Sequence, residues 1–385
     1  MRILIVFIFL VASSLYLSAQ LNDSAFSLET MYRGDVVHCF KGLKTSSAYL
    51  GQIDMAISLD TREAKLWKNG LMHVHIINNH GNQPSEEFVK DIQTFDNIEA
   101  ISATRLLQLW YKHNINNFTV TIGQHDLNSI FCNSESASFF INSSFGVMHS
   151  VSYNFPVSIF PITTLGLILQ YNLNDKYSIQ TAAYNGNPGD ETNNPYNTNW
   201  VLDKSNGFIY IADFIVNTNF NNKLRGQYKL GAFYHSSRFN SITDINKTYL
   251  GNNGFYIIAD QAIINKTNTS QKTNKLNIFV KLGYADQKIN MVNYFGAMGL
   301  HYSNIFTNKF DNNLGIAIAS TYINKKLQKA NNEFTSNETA IELSYNLQLS
   351  SIFSIQPDLQ YIINTGANSK KVNSLIGLIR FTIMH

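Results

Sequence analysis

The chain has 385 residues, of which only 14% are charged and 13% are aromatic, and it contains 6 prolines. The formal net charge is +3 and no basic run stands out, which excludes the electrostatic footprint of a nucleic-acid-binding protein. Low charge, abundant Tyr and Phe, and scarce Pro are typical of a chain made mostly of β-strands.

The N-terminus has the pattern of a secretory signal peptide. Arg2 supplies a positive charge, residues 3–11 form an apolar core, and Leu17-Ser18-Ala19 fits a cleavage site. An N-terminal anchor helix is the alternative, but the apolar run is too short to cross about 30 Å of hydrocarbon. We therefore expect residues 1–19 to be a signal peptide and residues 20–385 to form a single domain of an exported protein.

After the signal segment, apolar and polar residues alternate with a period of two. In one segment, for example, Met55 and Ile57 alternate with Asp54 and Ser58. Such alternation is typical of strands with one apolar and one polar face. We predict sixteen strands, at residues 26–38, 48–60, 71–80, 105–113, 117–125, 162–171, 176–184, 207–219, 226–236, 254–264, 275–286, 292–304, 311–322, 339–349, 353–363 and 374–384.

A half-buried soluble sheet shows the same alternation, so other features must separate it from a membrane barrel. The segments are longer than the five or six residues that are usual in soluble strands, and they continue to the end of the chain. Their apolar faces often end in tyrosine, as in an interfacial aromatic girdle. The tyrosines concerned are Tyr111, Tyr171, Tyr234, Tyr284, Tyr302 and Tyr322. The sequence therefore predicts an all-β fold, a transmembrane antiparallel β-barrel of about sixteen strands.

Motifs for enzyme chemistry are absent or weak. The chain has no phosphate-cradling glycine loop, no G-x-S-x-G elbow and no paired cysteines for zinc, so we expect neither an enzyme nor a cofactor. His73 and His75 share a strand face but lack a third ligand nearby in sequence, which favours two polar lumen residues over a metal site. The two cysteines, Cys39 and Cys132, are either a disulfide or two separate thiols, and the sequence leaves both open.

Nine short stretches of the chain form a recognisable series. They are YLGQID at 49–54, LWKNG at 66–70, TRL at 104–106, LWY at 109–111, IGQHDLN at 122–128, FINSSFG at 140–146, PVSIFP at 156–161, YNGNPGD at 184–190 and, more weakly, YKLGAFYH at 228–235. Over about residues 48–190 their order and spacing resemble those of the carbohydrate-selective porins of Gram-negative bacteria, the outer-membrane porin B type.

This resemblance implies a barrel whose lumen is narrowed by inward-folded loops. It also implies passive uptake of sugars through that lumen. We expect the segment from about Asn128 to Phe155 to be such a loop, because a rim loop in solvent would not need the phenylalanines Phe131, Phe139, Phe140 and Phe145. Transport requires hydrogen bonds to sugar hydroxyls that are many and weak. The side chains that we expect to line the pore and meet the solute are Asp54, Arg105, Trp110, Gln124, Asp126, Asn128, Asn142 and Ser143.

Arg105 has two interpretations that the sequence leaves open. Its guanidinium either lines the constriction, where it repels cations and spans sugar hydroxyls, or it pairs with a wall carboxylate such as Asp54 or Asp126. The expected partners of the protein are small sugars, other small hydrophilic solutes and outer-membrane lipid, without nucleic acid, and its oligomeric state is unknown. An outer-membrane barrel hydrolase and a surface sugar-binding β-protein without a pore remain as alternative functions.

Overall fold

Sixteen antiparallel strands close into one barrel in a computed structural model, which describes residues 25–244, 246–267, 273–305 and 310–385. The predicted signal peptide lies outside these residues. The strands are β1 (Phe26–Lys41), β2 (Ser46–Asp60), β3 (Gly70–Gly81), β4 (Ala103–Ile115), β5 (Phe118–His125), β6 (Thr164–Asn172), β7 (Tyr177–Asn185), β8 (Phe208–Phe220), β9 (Leu224–Asn240), β10 (Thr248–Thr267), β11 (Thr273–Ala285), β12 (Val292–Ser303), β13 (Asp311–Ile323), β14 (Asn337–Gln348), β15 (Phe353–Ile363) and β16 (Ser374–Met384).

Closure of the sheet depends on the first and last strands. Each strand pairs with the next one along the chain, and β1 pairs with both β2 and β16. The backbone N–H groups of Thr30 and His385 each donate to the other residue's carbonyl at 2.9 Å, which extends this seam to the last residue. A closed sheet satisfies every strand's backbone without an open edge, as a membrane-spanning sheet requires. The predicted fold class is confirmed.

The strand positions agree with the sequence prediction, and the differences are at strand ends. The largest is in β10, which begins at Thr248 rather than at residue 254, because its ladder with β9 continues beyond the alternating region. Alternation itself is preserved in three dimensions. On β2, Met55 and Ile57 point outward and are exposed, whereas Gln52 and Asp54 point inward and are buried.

The six tyrosines that end apolar faces form parts of two rings on the outer surface. Tyr111, Tyr171 and Tyr302 lie near one end of their strands, on the rim of short turns. The other three lie near the opposite rim: Tyr234, Tyr284 and Tyr322. Two aromatic rings on either side of an apolar band are typical of barrels that cross an outer membrane.

The two rims differ in the length of their connections. One rim carries short turns, the start of β1 and the end of β16. The other rim carries the long 82–102, 126–163 and 186–207 loops. In outer-membrane barrels the short turns are periplasmic and the long loops are extracellular. Two short helices lie on the rim of long loops, α1 (His149–Ser152) in the 126–163 loop and α2 (Lys325–Ala330) in the 324–336 connection. No helix within the described residues has the length and apolar character needed to cross a membrane.

Candidate functional site

The 126–163 loop folds into the barrel, as the sequence predicts. Phe131, Phe140 and Phe145 are almost fully buried, and they pack against inward-facing side chains of the wall. The ring centres of Phe140 and Phe145 lie 5.8 Å and 5.9 Å from that of Phe279 on β11. Burial of each phenylalanine contributes about 1.5–3 kcal/mol, which explains why the loop leaves solvent for the lumen.

Charged side chains of the wall fix the backbone of this loop. The Glu342 carboxylate on β14 accepts the N–H groups of Ile141 at 2.6 Å and Asn142 at 2.9 Å. The Lys281 ammonium on β11 donates to the carbonyl of Phe145 at 2.7 Å. Because charged partners make the stronger hydrogen bonds, these contacts position the loop more tightly than apolar packing alone.

The 82–102 loop also enters the lumen. No position for this particular loop was predicted from the sequence. The Glu338 carboxylate on β14 accepts the N–H groups of Ile92 at 3.0 Å and Gln93 at 2.9 Å. Further along the loop, Asp96 accepts from the Arg380 guanidinium at 3.1 Å, and Arg380 also holds Asp35 of β1. This loop therefore covers the inner wall formed by β14, β15, β16 and β1.

The two inward loops contact each other through their backbones. The N–H of Asn97 donates to the carbonyl of Ile141 at 3.0 Å, and the N–H of Ser143 donates to the carbonyl of Thr94 at 3.0 Å. The loops thus form one continuous partition inside the barrel. Half-buried, inward-facing side chains, such as Arg33 on the periplasmic part of β1, His75 of β3 and Trp110 of β4, leave the wall from there to β5 accessible from the lumen.

Polar side chains with paired charges line that remaining wall. The Asp54 carboxylate lies 3.2 Å from the Arg33 guanidinium and 2.9 Å from Nε2 of His75. The Arg33 and His75 side chains keep 25% and 18% of their surface exposed, so this cluster meets water in the lumen. It offers donors and acceptors with little net charge.

A wide polar vestibule lies at the periplasmic mouth. Its volume is about 1210 Å³, and it extends from Glu135 in the 126–163 loop to the inner faces of β8 to β11. Charged and amide side chains line it in equal number, and the amides are Asn217, Asn219, Asn222, Gln227, Gln261, Asn265 and Asn277. The lumen is therefore narrow beside the inward loops and opens toward the periplasm.

Comparison with known proteins identifies the family. The family described as carbohydrate-selective porin, OprB family, matches residues 44–384. The chain belongs to this family. Porin B of Pseudomonas aeruginosa is 22% identical over 375 residues, which cover 86% of this chain and 81% of the relative. This chain is an outer-membrane porin, and the comparisons favour neither the hydrolase nor the non-pore alternative.

Solved structures show the same barrel. The high-pH structure of Pseudomonas putida OprB has a TM-score of 0.86 and 20% identity, and the match covers 95% of this chain and 96% of that one. The low-pH structure of the same protein has a TM-score of 0.60 and 16% identity, with 95% of each chain covered. The fold and the strand number of this porin are thus those of its family.

Five of the predicted pore-lining residues lie on the inner wall or in the inward-folded loop and keep part of their surface accessible. Asp54 belongs to the polar cluster of the open wall, and Trp110 is a half-buried, inward-facing residue of β4. Asp126, Asn128 and Ser143 are half-buried residues of the 126–163 loop. Burial raises the pKa of the Asp126 carboxyl to about 6, although the N–H of Asn128 donates to it at 2.8 Å.

The other three predicted residues, Arg105, Gln124 and Asn142, are buried instead of open to the lumen. Their hydrogen-bonding groups are used within the protein. Arg105 donates to Glu191 of the 186–207 loop at 2.8 Å, so its carboxylate partner is neither Asp54 nor Asp126. The amide of Gln124 binds Leu106, Thr163 and Asn197, and Asn142 donates to Gln360 of β15 at 3.0 Å. These residues connect loops to the wall in this structure.

Sequence reasoning missed the acidic anchors Glu338 and Glu342 and the arginines Arg33 and Arg380. All four point inward on strands whose alternation was recognised, and that alternation was the available signal. Cys39 and Cys132 are buried free thiols in the structure. Among the described residues, no three His, Cys, Asp or Glu side chains are grouped to hold a metal ion.

Proposed function

We propose that this porin lets small hydrophilic solutes, and sugars in preference to others, diffuse passively through the outer membrane. The observation that carries this proposal is the polar cluster of Arg33, Asp54 and His75 beside the loop partition. Its charges compensate one another, so a neutral solute that exchanges hydrogen bonds gains more there than a bare ion does. Membership of a carbohydrate-selective family supports the same preference.

The solute path in this proposal runs past Asp54, Trp110 and Asp126, with Asn128 and Ser143 on the loop side. Carboxylates, amides and hydroxyls exchange hydrogen bonds with sugar hydroxyls, and each such bond is weak enough to be replaced by the next. Asn142 takes a supporting part in the proposal, because it helps to fix the 126–163 loop that narrows the path, whereas Arg105 and Gln124 hold the 186–207 loop.

The proposal includes export by a cleaved signal peptide. Residues 1–19 would direct the chain across the inner membrane, and cleavage after Ala19 would precede assembly of the barrel in outer-membrane lipid. The N-terminal sequence of the protein purified from outer membranes tests this step. A mature chain that begins at Gln20 supports it, and retention of Met1 contradicts it.

Two measurements on the purified protein test the transport proposal. In a planar bilayer, stepwise single-channel currents are expected of a pore. In liposome swelling, sugars should enter faster than amino acids and polyols of similar size. Equal entry rates for sugars and for other solutes of equal size would contradict the sugar preference. A bilayer without channel currents, when the control liposomes do swell, would contradict diffusion through the barrel.

A further inference from the structure

Aromatic and imidazole rings lie side by side on the open inner wall. The strand register pairs Trp110 of β4 with His73 of β3, and their rings stack at 4.6 Å between centres and 20° between planes. The ring of His125 on β5 lies 5.8 Å from that of Trp110. His125 is buried, whereas Trp110 and His73 are half-buried and reach the lumen.

Hydrogen bonds hold the two accessible rings in place. Nδ1 of His73 lies 2.8 Å from the Ser58 hydroxyl of β2, and Nε1 of Trp110 donates to Gln108 at 3.1 Å. The residue paired with Trp110 on β5 is Gly123, which has φ +136°. A Cβ atom there would lie 2.7 Å from Cα of Trp110, so glycine is the residue that this close approach admits. The platform is therefore formed before any solute arrives.

Hydrogen-bonding groups flank this platform. The Lys112 ammonium lies 5.6 Å from the centre of the Trp110 ring. The ring of His75 lies 6.3 Å from that of His73 and is bonded to Asp54. Lysine has a flexible stem and can turn its ammonium toward a hydroxyl above the ring. A flat apolar surface, with polar groups on either side of it, thus lies along one stretch of the inner wall.

We propose that the His73–Trp110 stack is a binding subsite for a neutral hexopyranose, with Lys112 and Asp54 as its hydrogen-bonding partners. A pyranose whose hydroxyls are mostly equatorial has rigid faces of C–H groups, and packing of one face on the rings removes apolar surface from water. An open-chain hexitol of nearly the same size has no such face. This inference rests on the proposed function and adds the residues that distinguish a ring from an open chain.

Current block and liposome swelling with glucose and sorbitol test the subsite. In the wild-type channel, glucose should block the ion current with saturation and enter faster than sorbitol. Trp110→Ala should weaken the glucose block about threefold to tenfold, the loss expected for one aromatic contact, and should lower the ratio of glucose entry to sorbitol entry toward one. His73→Ala should act in the same direction, and Trp110→Phe should retain part of the block.

Trp67→Ala is the matched control, because Trp67 is an exposed tryptophan in a periplasmic turn and its removal should leave the glucose block at the wild-type value. If glucose enters the wild-type channel faster than sorbitol, and Trp110→Ala and His73→Ala keep the same ratio of entry rates, the subsite is overturned and the sugar preference stands. If the wild type itself does not discriminate, the sugar preference and the subsite both fail. Should Trp110→Ala not assemble, Trp110→Phe and His73→Ala decide the question in the same assay.

Discussion

Removal of the Glu342 carboxylate should release the 126–163 loop from the barrel wall. Glu342 is fully buried and accepts the N–H groups of Ile141 and Asn142 at 2.6 Å and 2.9 Å. Glu342→Ala leaves two buried donors without a partner, and each costs about 1–3 kcal/mol. The free energy that holds this part of the loop on the wall should therefore fall by about 2–6 kcal/mol. The fraction of molecules in which the loop is detached from the wall should then rise by about 30-fold to about 10⁴-fold.

Thiol labelling measures this opening. Cys39 and Cys132 are replaced with serine, and Ser144→Cys places a thiol of similar size at a fully buried position two residues from Asn142. Opening is needed before a water-soluble maleimide reaches position 144, so its labelling rate follows the open population. In this background Glu342→Ala should raise the rate at least about 30-fold. Occasional single-channel openings of higher conductance should accompany it.

Glu338→Ala in the same background is the matched control. Glu338 likewise accepts backbone N–H groups, those of Ile92 and Gln93 in the 82–102 loop and that of Gly366 after β15. It should raise labelling at position 144 less, because it acts only through the backbone contacts between the two loops. An unchanged labelling rate in Glu342→Ala, with a barrel that still shows heat-modifiable migration in gels, would refute the reasoning and assign the anchoring to the apolar packing of Phe140 and Phe145.

Three further predictions follow from the same geometry. Arg105→Gln should leave the reversal potential in a salt gradient at its wild-type value, because the guanidinium is buried against Glu191. The substitution should speed proteolysis of the 186–207 loop. A clear shift of the reversal potential toward cation selectivity would instead indicate that Arg105 lines the pore. A cysteine at position 110 should react with a small water-soluble thiol reagent in membranes, whereas one at 109 should be shielded by lipid, since Leu109 points outward and Trp110 inward; the reverse pattern would mean that the strand register is off by one residue. Lowering the pH from 7.5 to 5 should reduce cation selectivity, because Asp126, whose pKa is raised to about 6, gains a proton and loses its charge over this interval. Asp126→Asn should remove that part of the pH dependence. An identical pH profile in the variant would exclude Asp126 as the source of the change in selectivity.

The sequence by itself determined the barrel. A period of two places alternate side chains on opposite faces of a strand, so apolar residues such as Met55 and Ile57 mark the lipid side wherever the strand pairs. Local composition was also sufficient to place the 126–163 loop inside, because Phe131, Phe140 and Phe145 are stabilised only where they leave water. These features depend on neighbours in sequence, and a single chain displays them.

Tertiary structure alone decided which of the inward-facing polar side chains are buried against other parts of the chain. Gln108 and Leu106 pair with successive residues of β3, so Leu107 is an extra residue that breaks the alternation two residues after Arg105. Beyond this bulge, the partner of Arg105 is Glu191, which lies 86 residues away in sequence. The contact of Glu342 with Ile141 spans 201 residues. A polar residue on the inner face either binds another part of the chain or remains free for a solute, and local periodicity carries no information about a partner so far along the chain.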